Sequence, residues 1–173
     1  LLGGLSKHFE WNEDRLITEI RQICDHDLDR HWLLSDSPRT PSSTLTKLKS
    51  LKLKNLSLHH FQDESFGSLE GNLKQSKLTW MSPDSMSMLY ESLTAGSKVA
   101  LFTLKSNPKK RHNRITRHVQ SLIQDGTVMS FDIWHTSHTN ENSALDEDGT
   151  LPYLWEADRA SRWLLGRFNE LRK

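Results

Sequence analysis

Residues 77–104 read KLTWMSPDSMSMLYESLTAGSKVALFTL. Two apolar runs, KLTWM at 77–81 and KVALFTL at 98–104, bracket a turn of Ser, Pro, Asp and Ser and then a helical stretch. The order is strand, turn, helix, strand. A crossover helix between successive strands sets them parallel, so this stretch predicts one βαβ unit of a parallel sheet. On these residues alone the plain reading is that Ser82 or Ser85 caps the helix, Pro83 opens it and Glu91 is solvated. A second reading is open. A helix N-terminus exposes unpaired N–H groups and a partial positive charge, and Ser82, Asp84, Ser85 and Ser87 crowd this one. Glu91 lies four residues beyond Ser87 on the same face, about 6 Å along the axis. That separation suits a phosphate at the helix opening and a ribose held by the carboxylate.

The same alternation extends outward. The opening LLGG reads as the tail of a strand running into a tight turn. EDRLITEIRQIC carries Leu16, Ile17, Ile20, Ile23 and Cys24 at helical spacing. HWLLSDS is a short strand breaking into a turn, SSTLTKLKSL a helix with capping serines, NLSLHHF a third strand, and ESFGSLEGNLKQS a short helix. RHNRITRHVQSLIQDG places Ile115, Val119, Leu122 and Ile123 on one face and stops at Gly126. TVMSFDI is expected as a last strand, 136–150 as a mobile polar loop, and WEADRASRWLLGRFNEL as a closing amphipathic helix. The fold class is therefore α/β: a Rossmann-like three-layer sandwich with a mostly parallel sheet, one domain over 1–173.

In such sheets ligands gather at the carboxyl ends of the strands. Turn-forming, phosphate-compatible residues stand at GGLSK (3–7), SDSPRTP (35–41) and SPDSMS (82–87). Gly3 and Gly4 permit close backbone approach, Ser6 and Lys7 can donate, and Ser37 and Thr40 offer hydroxyls. Arg39 supplies a bidentate fork for phosphate oxygens. For Ser37, Arg39 and Thr40, ordinary turn and cap chemistry weighs about equally.

Composition narrows the rest. The chain has 173 residues, and 23 basic against 22 acidic residues give a net charge of +1, so no global charge argues for nucleic acid or membrane. The single cysteine, Cys24, cannot form an internal disulfide and falls on an apolar helix face, which suits a reducing compartment and a place in the core. Nine histidines lack companions at metal-ligand spacing, so no metal is expected. The basic run at 105–117, with Lys105, Lys109, Lys110, Arg111, Arg114 and Arg117, reads first as a solvated helix start and second as a patch for a membrane surface or lipid-linked acceptor. No aromatic platform interleaves it, which argues against nucleic acid.

LLGGLSKHFEW, LLSDSPRTP and SPDSMSMLYESLTAG, in that order, resemble the elongated-mitochondria family, which includes plant mitochondrial fission factors and bacterial relatives described as glycosyltransferases. The match falls on Gly3, Gly4 and Ser6, on Ser37, Arg39, Thr40 and Pro41, and on Asp84, Ser85, Met88 and Glu91. Leu5, Pro38 and Tyr90 depart from its Gly-Gly-Pro-Ser, Ser-Arg-Arg-Thr-Pro and Ser-Glu patterns. The resemblance implies one half of a GT-B architecture, with this chain as the C-terminal, donor-binding half and a missing N-terminal domain carrying the catalytic base. It implies a nucleotide-sugar ligand held without a metal, and a cytoplasmic setting, at the inner membrane face. The alternative it implies is a non-catalytic interaction or adaptor protein of the fission-factor type.

Overall fold

Strands form where apolar and β-branched residues run together between turns, and the computed structural model, which describes residues 1–63, 67–110 and 114–139, places them in that way. In chain order the elements are β1 (Phe9–Glu10), α1 (Glu13–His26), β2 (Trp32–Ser35), α2 (Ser42–Ser50), β3 (Leu56–His59), α3 (Leu69–Gln75), β4 (Leu78–Met81) and α4 (Met86–Thr94). β5 (Lys98–Leu101), β6 (Lys105–Ser106), α5 (Arg114–Gln124), β7 (Met129–Ser130) and α6 (Phe131–Thr139) follow.

The pairings β2 with β3, β4 with β5 and β5 with β7 are all parallel, as the βαβ reading requires. Among the described residues only the short β1–β6 ribbon is antiparallel. The opening segment joins the two parallel groups. Leu1 N donates to Trp80 O (2.6 Å) and Leu1 O accepts from Ser82 N (3.3 Å), while Leu2 N donates to Ser35 O (2.8 Å). Leu1 thus lies opposite Met81 in a parallel register, and the sheet runs β3, β2, Leu1–Leu2, β4, β5, β7. The expected opening strand shows in these hydrogen bonds of Leu1 and Leu2.

Two apolar clusters cover the two faces, which makes the three layers. On one, Leu16, Ile20 and Ile23 of α1 pack with Leu34, Trp80, Phe102 and Trp134; on the other, Leu89 and Leu93 of α4 pack with Met81, Val99, Leu101, Val119 and Leu122. Trp80 and Met81, adjacent in β4, point to opposite faces, as the strand period of two demands. Cys24 is buried in the first cluster, where desolvation and then the nearby Asp25 charge push its thiol up to about 11. It is core and not a nucleophile at neutral pH.

Several boundaries differ from the sequence reading. The strand expected over TVMSFDI is only Met129–Ser130, and Phe131 begins α6. The reason is packing: Phe131 and Trp134, one turn apart, both bury against Trp80, with ring centroids 6.0 and 5.5 Å away. α6 takes the first residues of the expected 136–150 loop; the remainder of that loop and the closing helix lie outside the described residues. Ser42 and Ser43 do not cap α2, because the cap position is Pro41 and both serines are already helical. Gly126 ends α5 in the left-handed region, φ +70°, as its place in the sequence suggested.

Candidate functional site

The turns after Leu2, β2 and β4 meet at the carboxyl edge of the sheet. Ser37 Oγ donates to Gly3 O (2.5 Å), Thr40 Oγ1 donates to the same oxygen, and Leu5 N donates to Arg39 O (3.0 Å). From the β4 side, Ser82 Oγ accepts from Gly3 N (2.8 Å) and Asp84 Oδ2 accepts from Gly4 N (3.0 Å). Main-chain groups of Gly3 and Gly4 are therefore satisfied by side chains of both neighbouring turns.

This contact is tight enough to require glycine. A Cβ on Gly4 would lie 2.0 Å from Arg39 O and 2.1 Å from its carbonyl carbon, a clash with backbone that no rotamer relieves. A Cβ on Gly3 would meet the Asp84 carboxylate at 2.4 Å. The glycines do allow close approach, as expected, but what approaches is the chain itself.

Arg39 occupies a different position from a free phosphate fork. Its Nη1 lies 2.8 Å from Asp84 Oδ2 and donates to Leu5 O at 3.1 Å. The Asp84 side chain is fully buried and that of Arg39 is 43% exposed, so the pair seals the junction from its outer side. Ser6 Oγ accepts from His8 N and Phe9 N and holds the turn into β1. Lys7 is exposed on that turn.

At the opening of α4 the cap residue is Ser85, with extended backbone (φ −116°, ψ 97°), but its hydroxyl makes no capping bond. Pro83 lies two residues ahead of the cap, and Ser82, the alternative cap, serves Gly3 instead. No acidic residue sits in the first turn of α4. Among the described residues no side chain caps this opening, so its leading N–H groups keep their positive end. Ser87 and Glu91 are exposed on α4, on the face expected of them. Tyr90 instead packs on α5, stacked on His118 with centroids 5.8 Å apart and its hydroxyl bonded to His118 Nε2.

α1 begins at the same edge and is fully provided for. Asn12 Oδ1 accepts from Arg15 N (3.0 Å), and Glu13 and Asp14 occupy the first turn. The Glu13 carboxyl is lowered to about 2, first by Lys47 and then by the Ser43 and Thr44 hydroxyls, which donate to it at 2.7 Å. Glu13 so serves the opening of α2 as well.

Sequence reasoning passed over other residues of this edge. Asp36, buried at the end of β2, accepts from Phe61 N (2.6 Å) and meets His60 Nδ1 (2.8 Å), which fixes the end of β3. Glu19, also buried, accepts from Thr103 N (2.8 Å) and from Arg15 Nε (2.9 Å), tying α1 to the turn after β5. The signal for Glu19 was legible: a carboxylate on the apolar face that Leu16, Ile20 and Ile23 define. Of the basic run, Lys105, Lys109, Arg114 and Arg117 are exposed, on β6, a 3-10 turn and α5.

Among the described residues no helix is long and apolar enough to cross a membrane. No curated protein and no solved structure matches the chain. The family model described as Mitochondrial fission ELM1 matches residues 1–168. That span includes all the strand-end turns just described, and the chain belongs to the mitochondrial fission ELM1 family.

Proposed function

We propose that the chain is the donor-binding domain of a GT-B-type glycosyltransferase, holding a nucleotide sugar at the opening of α4 for metal-independent transfer. The observation that carries this reading is the unsatisfied helix opening at Ser85, set at the carboxyl edge beside exposed Ser87 and Glu91. In it, the leading N–H groups of α4 with Ser85 and Ser87 receive the diphosphate, and Glu91 accepts from the ribose hydroxyls. Charge growing on the departing nucleoside diphosphate is stabilised by the helix dipole and hydroxyls. Gly3, Gly4, Ser37, Thr40, Asp84 and Arg39 shape and brace the seat and do not grip the phosphate. Lys7, exposed on the turn into β1, supplies a cation in this reading. The acceptor's base comes from an N-terminal domain across a cleft, in a cytoplasmic protein whose 105–117 run faces a membrane surface or lipid-linked acceptor.

One observation favours a second reading, a non-catalytic adaptor. Arg39 pairs with Asp84 Oδ2, and Ser37 and Thr40 bond the Gly3 carbonyl, as they would in a structural junction, although Asp84 Oδ1 is buried without a partner among the described residues. Calorimetric titration with UDP, GDP, ADP and CMP separates the two. Saturable binding of one nucleotide, weakened at least about 10-fold by Glu91→Ala and by Ser85→Asp, is the expected result; tenfold corresponds to about 1.4 kcal/mol. Absence of binding by the folded protein with its N-terminal domain supports the adaptor.

A further inference from the structure

The turns after β2 and β3 carry a second polar arrangement, beside the braced junction and separate from α4. Asp36 directly precedes Ser37, and its side chain is only 1% exposed. Both carboxylate oxygens are committed: Oδ1 accepts from Phe61 N (2.6 Å) and Oδ2 meets His60 Nδ1 (2.8 Å). The turn after β3 is itself closed, with Asp63 N donating to His60 O (2.7 Å). His60 is thus held by one edge of its ring while its side chain stays 49% exposed.

A carboxylate can only accept, so Nδ1 carries the proton and Nε2 of the neutral ring is an acceptor. Among the described residues Nε2 has no hydrogen-bond partner. A buried carboxylate behind an imidazole fixes both the tautomer and the direction in which the outer nitrogen points. Among the described residues no third His, Cys, Asp or Glu joins the pair to make a metal-holding group. Phe61 follows directly and is 41% exposed, with its ring centroid 4.4 Å from that of His60 and the planes 62° apart. A lone exposed phenylalanine requires no explanation. Here the ring is fixed beside an acceptor nitrogen that the fold orients from behind.

The ligand that fits both groups donates a proton to Nε2 and lays an apolar face on Phe61. Saccharides carry those two features on one ring: hydroxyls around the rim and a face of C–H bonds, weakly positive, that suits the negative face of an arene. We propose that His60 and Phe61, positioned by Asp36, form a saccharide subsite, with Nε2 accepting from a sugar hydroxyl and Phe61 covering the C–H face. It goes beyond the nucleotide seat and does not depend on it, since no group of α4 takes part.

The test is an NMR titration of the protein, reading the His60 ring nitrogens and the Phe61 amide. The probes are the methyl glycosides of glucose, galactose, mannose and N-acetylglucosamine, with uridine and adenosine as the competing class. Saturable shifts at both residues with at least one glycoside are expected, at millimolar concentrations. His60→Ala and Phe61→Ala are each expected to weaken that binding at least about 5-fold. Asp36→Asn keeps an acceptor for Phe61 N but turns an amide N–H toward His60 Nδ1, so it is expected to move the ring proton to Nε2 and weaken the glycoside as much. If Asp36→Asn does not fold, the variants of the two half-exposed residues decide. No saturable shift with any glycoside overturns the proposal. So do glycoside shifts undiminished in His60→Ala and Phe61→Ala, a ring proton already on Nε2 in the unaltered protein, or binding of nucleosides alone at these residues.

Discussion

α1 and α4 both begin at the carboxyl edge of one sheet, and they begin differently. α1 has an asparagine cap, two acidic residues in its first turn and a Glu13 carboxylate shared with α2. α4 has a serine at the cap with no capping bond and no acid in its first turn. Asp84, the nearest carboxylate before it in sequence, is engaged by Gly4 N and Arg39. One opening is capped from within the chain, and the other is framed by a tight junction and has no side-chain cap among the described residues. Where a fold satisfies one helix end and braces the surroundings of another, the second is the place to look for a ligand.

The junction is the part most sensitive to change. Gly4→Ala forces a methyl group into the Arg39 carbonyl and is expected to destabilise the fold by about 3–5 kcal/mol, read by urea unfolding. A loss under about 1 kcal/mol there shows that the turns can separate, and the contrast between braced and open ends fails. Asp84→Ala removes acceptors from Gly4 N and Arg39 and should lose about 1–3 kcal/mol, Arg39 being able to turn to solvent.

The helix ends themselves are compared by paired substitutions. Asn12→Ala should cost about 1 kcal/mol, while Ser85→Ala should change stability by less than about 0.5 kcal/mol, because no capping bond is lost. Ser85→Asp should stabilise the protein by about 0.5–1 kcal/mol while weakening anion binding, since it supplies the missing cap. Equal losses at Asn12 and Ser85 remove the difference between the two openings.

A further comparison is a matter of pH. Glu13 has its carboxyl lowered from 4.5 to about 2 by Lys47 and the two hydroxyls. Its contribution is fully present above pH 4.5, where the unfolded group is already ionised, and is lost as pH falls toward 2. In acid titrations of stability, Glu13→Gln should therefore flatten the decline between those limits and leave the slope near neutrality unchanged.

The parallel α/β layout was legible because its signals are local. Apolar runs of four or five residues, helical spacing in EDRLITEIRQIC and turn residues between them locate β2, β4, β5, α1 and α4 without reference to partners. The strand-end turns were legible for the same reason, and they do converge. Phe131 reads as strand because a β-branched and aromatic run looks alike in strand and helix, and the packing of both Phe131 and Trp134 on Trp80 decides for helix. The roles of Arg39 and Asp84 were beyond sequence reasoning. A guanidinium in a turn reads as free until register brings a carboxylate from another turn to 2.8 Å.

The sequence by itself determined the alternation of the main strands and helices and which turns stand at the strand ends, because periodicity and turn chemistry act over a few residues. Only the tertiary structure decided which of the polar groups there are engaged and which remain open. It paired Arg39 with Asp84, pressed Gly4 against Arg39 O and left Ser85 without a capping bond. The physical reason is that a charge or a hydrogen-bonding group is satisfied by whatever packing brings within about 3 Å, and that distance is set by strand register and helix docking between segments far apart in the chain.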